Sequence, residues 1–335
     1  MKKIIFTTLI LLSLQSCSQK NDNMINQNLD ITANNIVEKI TQEIKHYPSE
    51  KIYKFSYNNE MVYFNVYIDD VLAYRQFRLP QSGSAFEINN VIFNKGQHKV
   101  YYQLFPIGIT KEYEEDYKTL TDDTNLNLKL KSYDLQNKEL RDIEYTEYSI
   151  PKIKEGIIKD YFKEKFQGTG KTYYEGSFDI NVDVPYELHP PFKNAQDLRK
   201  MDKKELEVKL VKEYNKIRNI YQNKEKDNIA KLVYDNLKMQ LVTDYATKEQ
   251  VKEAWDEINE ILFKSEIEIL PIENYKMQFF AEGKLVALFT DGSNPKIRGG
   301  NALVCNVKSG NHGKGFIELK HFFYIPQGET EFKVY

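Results

Sequence analysis

The side chains able to do chemistry are scattered along this chain, and spacing decides what each grouping can be. The richest is the stretch at residues 307–316, VKSGNHGKGF, which sets Lys308, His312 and Lys314 among Gly310, Gly313 and Gly315. Glycines that accept positive φ let successive backbone N–H groups converge, and flanking cations deepen the attraction for an anion. Lys308, Gly310, His312, Gly313 and Lys314 are therefore a candidate ligand or anion loop, although the tip of a hairpin uses glycines in the same way. Residues 168–172, GTGKT, resemble the end of a phosphate loop. The full pattern needs a glycine five places before Gly170, where Lys165 stands, and it opens a helix, whereas this stretch opens a strand-like run. It is expected to be a turn.

Other constellations are weaker still. Cys305 and His321 could pair as nucleophile and base, but Cys305 alternates in phase with Leu303 and Val307, the pattern of a small core residue. The serine-hydrolase elbow G-x-S-x-G is absent. His46, His98, His189, His312 and His321 show no metal-binding spacing, and no calcium-loop pattern occurs. Asp179 and Asp183 share a strand face but sit about 13 Å apart, too far for a working carboxylate pair. Asp69-Asp70 and the acidic residues 112–123 read as solvated loops. No catalytic residue, metal or cofactor is assigned.

The elements that would position these groups follow from periodicity. Ile36, Ile40 and Ile44 mark a short helix over residues 32–45. From Ile52 the period falls to two: Val62, Phe64, Val66 and Ile68 share a face, Asp69-Asp70 turns, and Val100, Tyr102 and Leu104, then Leu126, Leu128 and Leu130, repeat the pattern. Residues 152–166 read as a charged, helical connector, and residues 173–184 as a strand with Phe178, Ile180, Val182 and Val184 on one side. Three helices are expected next, with faces Leu206, Leu210, Tyr214, Ile217, Tyr221; Ile229, Val233, Leu237, Leu241; and Val251, Trp255, Ile258, Leu262. Asp202 with Glu205 and Thr247 with Gln250 are capping pairs. A hairpin turning at Glu282-Gly283 and two further strands, NALVCNV and FIELKHFFYI, complete the chain. The expected fold class is β plus α+β. An immunoglobulin-like β-sandwich over 31–150 (after a short helix) precedes an α+β domain over 151–335 with a three-helix block and an antiparallel sheet.

With 47 basic and 49 acidic residues the formal charge is −2, too balanced for nucleic-acid binding. At the N-terminus Lys2 and Lys3 precede an apolar run from Ile4 to Leu14, the length of a secretory signal and short of a membrane span. Leu14-Gln15-Ser16-Cys17 resembles the lipobox of bacterial lipoproteins, with Gln15 departing slightly from its pattern. That resemblance, confined to residues 1–22, implies cleavage before Cys17, acylation of Cys17, a signal peptide over 1–16 and anchoring in the cell envelope. Ser18 resembles the signal for the outer membrane. Loss of Lys2 and Lys3 would take the charge to about −4, and residues 17–30 would form a flexible tether. Only Cys305 would remain, so no intrachain disulfide is expected. The expected function is a non-catalytic protein-binding module, of immunity type or an accessory subunit of a membrane complex. The alternative is an envelope hydrolase or glycan-binding lipoprotein acting on polysaccharide or cell-wall material.

Overall fold

The computed structural model describes residues 24–110, 113, 115–137, 139, 141–158, 161–292, 294, 296–311 and 313–335. Helix α1 (Ile36–Glu43) leads into a run of strands: β1 (Lys51–Glu60), β2 (Tyr63–Ile68), β3 (Val71–Gln76), β4 (Ser82–Glu87) and β5 (Gly96–Phe105). β6 (Asn125–Asp134), β7 (Ile143–Ser149), β8 (Lys152–Ile158), β9 (Tyr161–Phe166) and β10 (Tyr174–Val182) continue it. The helical block is α2 (Lys203–Gln222), α3 (Lys226–Thr243) and α4 (Lys248–Asn259). β11 (Glu266–Ile269), β12 (Tyr275–Phe280), β13 (Leu285–Thr290), β14 (Val304–Ser309), β15 (Gly315–Glu318), β16 (Phe323–Tyr324) and β17 (Lys333–Val334) follow. The molecule is thus α+β, with antiparallel pairing in each sheet.

Alternation dictates how the sheets stack. The sheets β4-β1-β6-β7 and β10-β5-β2-β3 face each other across one core. Phe55, Tyr57, Leu128 and Leu130 enter it from the first, and Phe64, Val66, Val100, Tyr102 and Ile180 from the second. Aromatic edges cross the gap, Tyr57 to Phe64 at 5.2 Å and Phe55 to Phe178 at 6.1 Å. The opposite face of the second sheet is covered too, so every residue of β2 is buried. A third sheet, β12-β13-β16-β17, lies over it, with Tyr67 against Phe280 at 6.1 Å. β13 therefore serves two cores: Leu285, Ala287 and Phe289 pack toward the strand-rich half, and Val286 and Leu288 pack with Leu210, Tyr214 and Ile217 of α2. The remaining helices close a smaller cluster of Ile36, Ile40, Tyr234, Leu241, Val251 and Trp255.

Three expectations are corrected. The helical connector at 152–166 is a hairpin, β8 paired with β9. Its charges alternate across the strands and pair between them, as Lys165 does with Glu155 at 2.7 Å, so the charge run suits a two-stranded ribbon as well as a helix. The tether expected over 17–30 is docked from Ile25 onward. Ile25 is buried, the Gln27 amide exchanges two hydrogen bonds with the Val334 backbone at 2.9 and 2.7 Å, and the Asn28 amide donates to the Lys231 carbonyl and to Asp235. Polar composition concealed this because the side-chain amides act as a substitute for main-chain pairing. Finally, FIELKHFFYI is two strands in different sheets, β15 beside β14 and β16 beside β13. In addition, β10, downstream of residue 150, pairs along its length with β5 and completes a sheet of the strand-rich half.

Candidate functional site

Two tight turns bring the halves of the molecule together. Asp69 and Asp70 both adopt positive φ, 47° and 63°, as a two-residue hairpin loop between β2 and β3 requires. Ala281, Glu282 and Gly283 do the same between β12 and β13. The turns are hydrogen-bonded to each other: the Ala281 N–H donates to the Asp70 carbonyl at 2.8 Å, and the Glu282 N–H donates to the Asp70 carboxylate at 2.6 Å. β3 and β13 belong to different sheets and do not pair, and residues of both line one hollow.

That hollow, about 490 Å³, is lined by β3 and the chain just beyond it, by β13, and by the segments at 298–301 and 318–322. Four phenylalanines, Phe77, Phe280, Phe289 and Phe322, stand in its wall. Arg75 stands among them. Its guanidinium carbon lies 3.9 Å from the centre of the Phe289 ring and 5.6 Å from that of Phe77. Nε donates to Asn65 Oδ1 at 3.0 Å and Nη2 to Gln278 Oε1 at 3.3 Å. Nη1 is shut off from solvent and has no hydrogen-bond partner among the described residues. Enclosure pushes the guanidinium down to about 10, against the pull of Tyr67 and Glu318, so it stays charged at neutral pH. A buried charge carrying an unused donor is costly unless something pairs with it.

The hollow continues at Arg78 into a more open one of about 700 Å³, lined by Lys296, Lys308, Lys314 and Phe316. Arg298 and Lys320 add two cations to the deeper part, where Glu318 is the one acid among the described lining residues. Together the two parts present seven basic side chains and one acidic one, in a chain whose overall charge is slightly negative. One of the seven, Lys308, is paired with Glu268 at 3.1 Å. Gly299, at φ 64°, lies so close that a Cβ would reach the Phe77 ring at 3.0 Å, and a Cβ on Gly300 would collide with the Glu318 carboxylate. The glycine pair is what lets this backbone form the groove wall.

The residues singled out from sequence divide sharply. Lys308 and Lys314 do line the groove. Gly310 is instead pressed against Ser265, where a Cβ would collide with the hydroxyl, and Gly313 takes φ 81° at the hairpin tip between β14 and β15. His312 and Cys17 lie outside the described residues. Arg75, Arg78, Lys296, Arg298, Glu318 and Lys320 were not anticipated. A signal existed, since six arginines (Arg75, Arg78, Arg141, Arg199, Arg218, Arg298) stand in this lysine-rich chain and three of them line the groove. Arg75 also occupies a strand position in phase with Val71, Ala73 and Phe77, where an apolar residue is the rule.

The remaining candidates have structural roles. In the GTGKT turn the Gly170 N–H donates to the Leu120 carbonyl at 2.8 Å and the Lys171 N–H to the Gly168 carbonyl at 3.1 Å, so these amides are committed. Cys305 is fully buried with Leu303 and Val307, and burial pushes its thiol up to about 11. His321, held neutral by burial that lowers it to about 4, is engaged by the Tyr221 hydroxyl at 2.8 Å. Asp183 pairs with Lys95 at 2.7 Å. Tyr102, Phe323 and Tyr324 are packed inside, whereas Tyr101 is exposed. Among the described residues no cluster of His, Cys, Asp and Glu could hold a metal, and no helix is long and apolar enough to cross a membrane.

Comparison with protein-family models, with curated proteins and with solved structures gave no match.

Proposed function

We propose that this protein is a cell-envelope lipoprotein, anchored through acylated Cys17 in the outer membrane, that works as a non-catalytic protein-binding module of immunity type or as an accessory subunit of a membrane complex. In this reading the two facing sheets form an immunoglobulin-like sandwich whose edge strand β3 shares the recognition groove with the α+β part. The observation that carries the reading is the basic groove. Seven cations gathered on a slightly acidic chain suit an acidic surface segment of a partner, because complementary charge speeds encounter and fixes register. Hydrolysis of a glycan is supported less well, since the described groove lining offers one carboxylate, Glu318, and not the pair such chemistry uses. Glycan binding is also less well supported, because most of the aromatic rings that would stack on sugars are packed inside.

The test is chemical crosslinking of the native protein in its own cells, followed by recovery with an antibody. A single partner at near-equal stoichiometry is expected, and the double variant Arg78→Glu, Lys314→Glu is expected to lose it while keeping the wild-type melting temperature. Turnover of a cell-wall polysaccharide by the purified protein would sink the proposal.

A further inference from the structure

We propose that the groove takes an extended acidic peptide segment by strand addition along β3, with one carboxylate of that segment inserted against the guanidinium of Arg75. The inference rests on the groove being the recognition surface and names what is recognised there.

Two independent features point to it. The first is Arg75 itself: an enclosed guanidinium on the groove wall whose Nη1 is unpartnered among the described residues and covered by its neighbours, so that an entering carboxylate must displace them to reach it. Asn65 and Gln278 hold the other two nitrogens with neutral oxygens, so these contacts fix the fork in place without neutralising it, and Glu318 is the one carboxylate of the lining that pulls on it. A planar carboxylate is the shape such a fork accepts, and a charge-assisted hydrogen bond in this enclosed setting would satisfy the orphaned donor. The aromatic walls around it suit apolar side chains on either side of that carboxylate.

The second feature is topological. β3 is the terminal strand in the order β10-β5-β2-β3, and β15 is terminal in β11-β14-β15. All of β3 lines the deep part of the groove, while Gly315 and Phe316 of β15 line the open part. Two sheet edges therefore border one groove. An edge strand presents a row of main-chain donors and acceptors that an extended peptide can complete, with alternate side chains dropping into pockets. The open part, with Arg78, Lys296 and Lys314, would hold further acidic residues where the segment leaves the pocket.

The probe is the pentapeptide acetyl-Val-Phe-Glu-Phe-Val-amide, titrated calorimetrically into the full mature chain. Its partners are the Gln counterpart, a form N-methylated at alternate backbone amides, and acetyl-Val-Phe-Phe with a free C-terminus. Binding by the Glu peptide is expected, falling at least tenfold for the Gln and the N-methylated forms. Tighter binding by the Glu peptide than by the free C-terminus is expected, and the reverse order would overturn insertion of a side-chain carboxylate. Arg75→Met should abolish the difference between the Glu and Gln peptides, and Arg75→Lys should restore part of it. Thermal melts of both variants establish that the fold is intact. Absence of binding by both carboxylate peptides at millimolar concentration, or equal affinity for Glu and Gln peptides in the wild type, overturns the proposal. A crosslinked partner retained by Arg75→Met in cells would also overturn it while leaving the binding-module reading in place. Failure to find any partner for the wild type would strike that reading instead.

Discussion

Asp244, at the C-terminal end of α3, is a carboxyl group in the wrong solvent. Burial, reinforced by the charge of Glu87, pushes it up to about 7. The sign follows from proton linkage. In the unfolded chain the group loses its proton near the ordinary carboxylate value, whereas in the fold it holds on until about pH 7, so folding is progressively penalised between those values. The penalty is small at pH 4, reaches its full size above pH 7, and amounts to about 4 kcal/mol at most. Asp244→Asn keeps the shape and removes the titration. It should raise the melting temperature at pH 8 and leave it nearly unchanged at pH 4; an equal gain at both values would show that burial of charge is not the cause. Arg75 is the contrasting case. It too is enclosed, but at neutral pH it keeps its charge, and so it needs an anion rather than a proton.

At the scale of elements, local chemistry shows why some parts of the fold could be read directly. Helix α4 begins at Thr247, whose hydroxyl accepts from the Gln250 N–H at 3.3 Å while the Gln250 side chain accepts from the Thr247 N–H at 2.8 Å. That reciprocal pair is written in four consecutive residues, as is the Asp202 cap of α2, which accepts from the N–H groups of Lys204 and Glu205. The stripe Leu206, Leu210, Tyr214, Ile217, Tyr221 is buried throughout. Thr247→Ala should cost about 1 kcal/mol, read as a lower midpoint in urea with an unchanged slope, whereas Lys248→Ala, one residue on and exposed, should cost far less. Elements with two buried faces were harder to read. α3 buries Ile229 and Leu232 in one cluster, Ala230, Tyr234 and Leu241 in a second and Met239 in a third, so a single stripe understated it. The groove was harder still. Its cations come from β3 and the chain just beyond it, from the segment at 296–298, from the β14–β15 hairpin and from Lys320 after β15, and only the stacking of separate sheets puts them together. Lys308 and Lys314 were legible because one loop carries both. Arg75 had a trace in the strand alternation, but its partners on other strands had none.

For the whole molecule the decisive element is β13. Its two faces feed different cores, Leu285, Ala287 and Phe289 on one side and Val286 and Leu288 on the other, and the Leu288 N–H donates to the Tyr214 hydroxyl of α2 at 2.9 Å. Behind it, the Asp70 turn is bonded to the Ala281–Glu282 backbone, and Gln27 clamps β17 at Val334. Unfolding the helical part alone would strip one face of β13, and unfolding the strand-rich part alone would strip the other, so neither half can leave without exposing the core of its neighbour. A single calorimetric transition is therefore expected despite the chain's length. Ala287 offers the sharpest check. It is fully buried between the second and third sheets, and the extra atoms of Ala287→Leu should wedge them apart at a cost of about 1–3 kcal/mol. If β13 couples the cores, the variant moves the one transition to lower temperature without dividing it. If the halves are independent, the scan separates into two peaks, only one of which responds to the substitution. The same wedge widens the gap between β3 and β13, so in the coupled molecule it should also weaken the acidic pentapeptide, which links the stability of the stacked sheets to the recognition proposed between them.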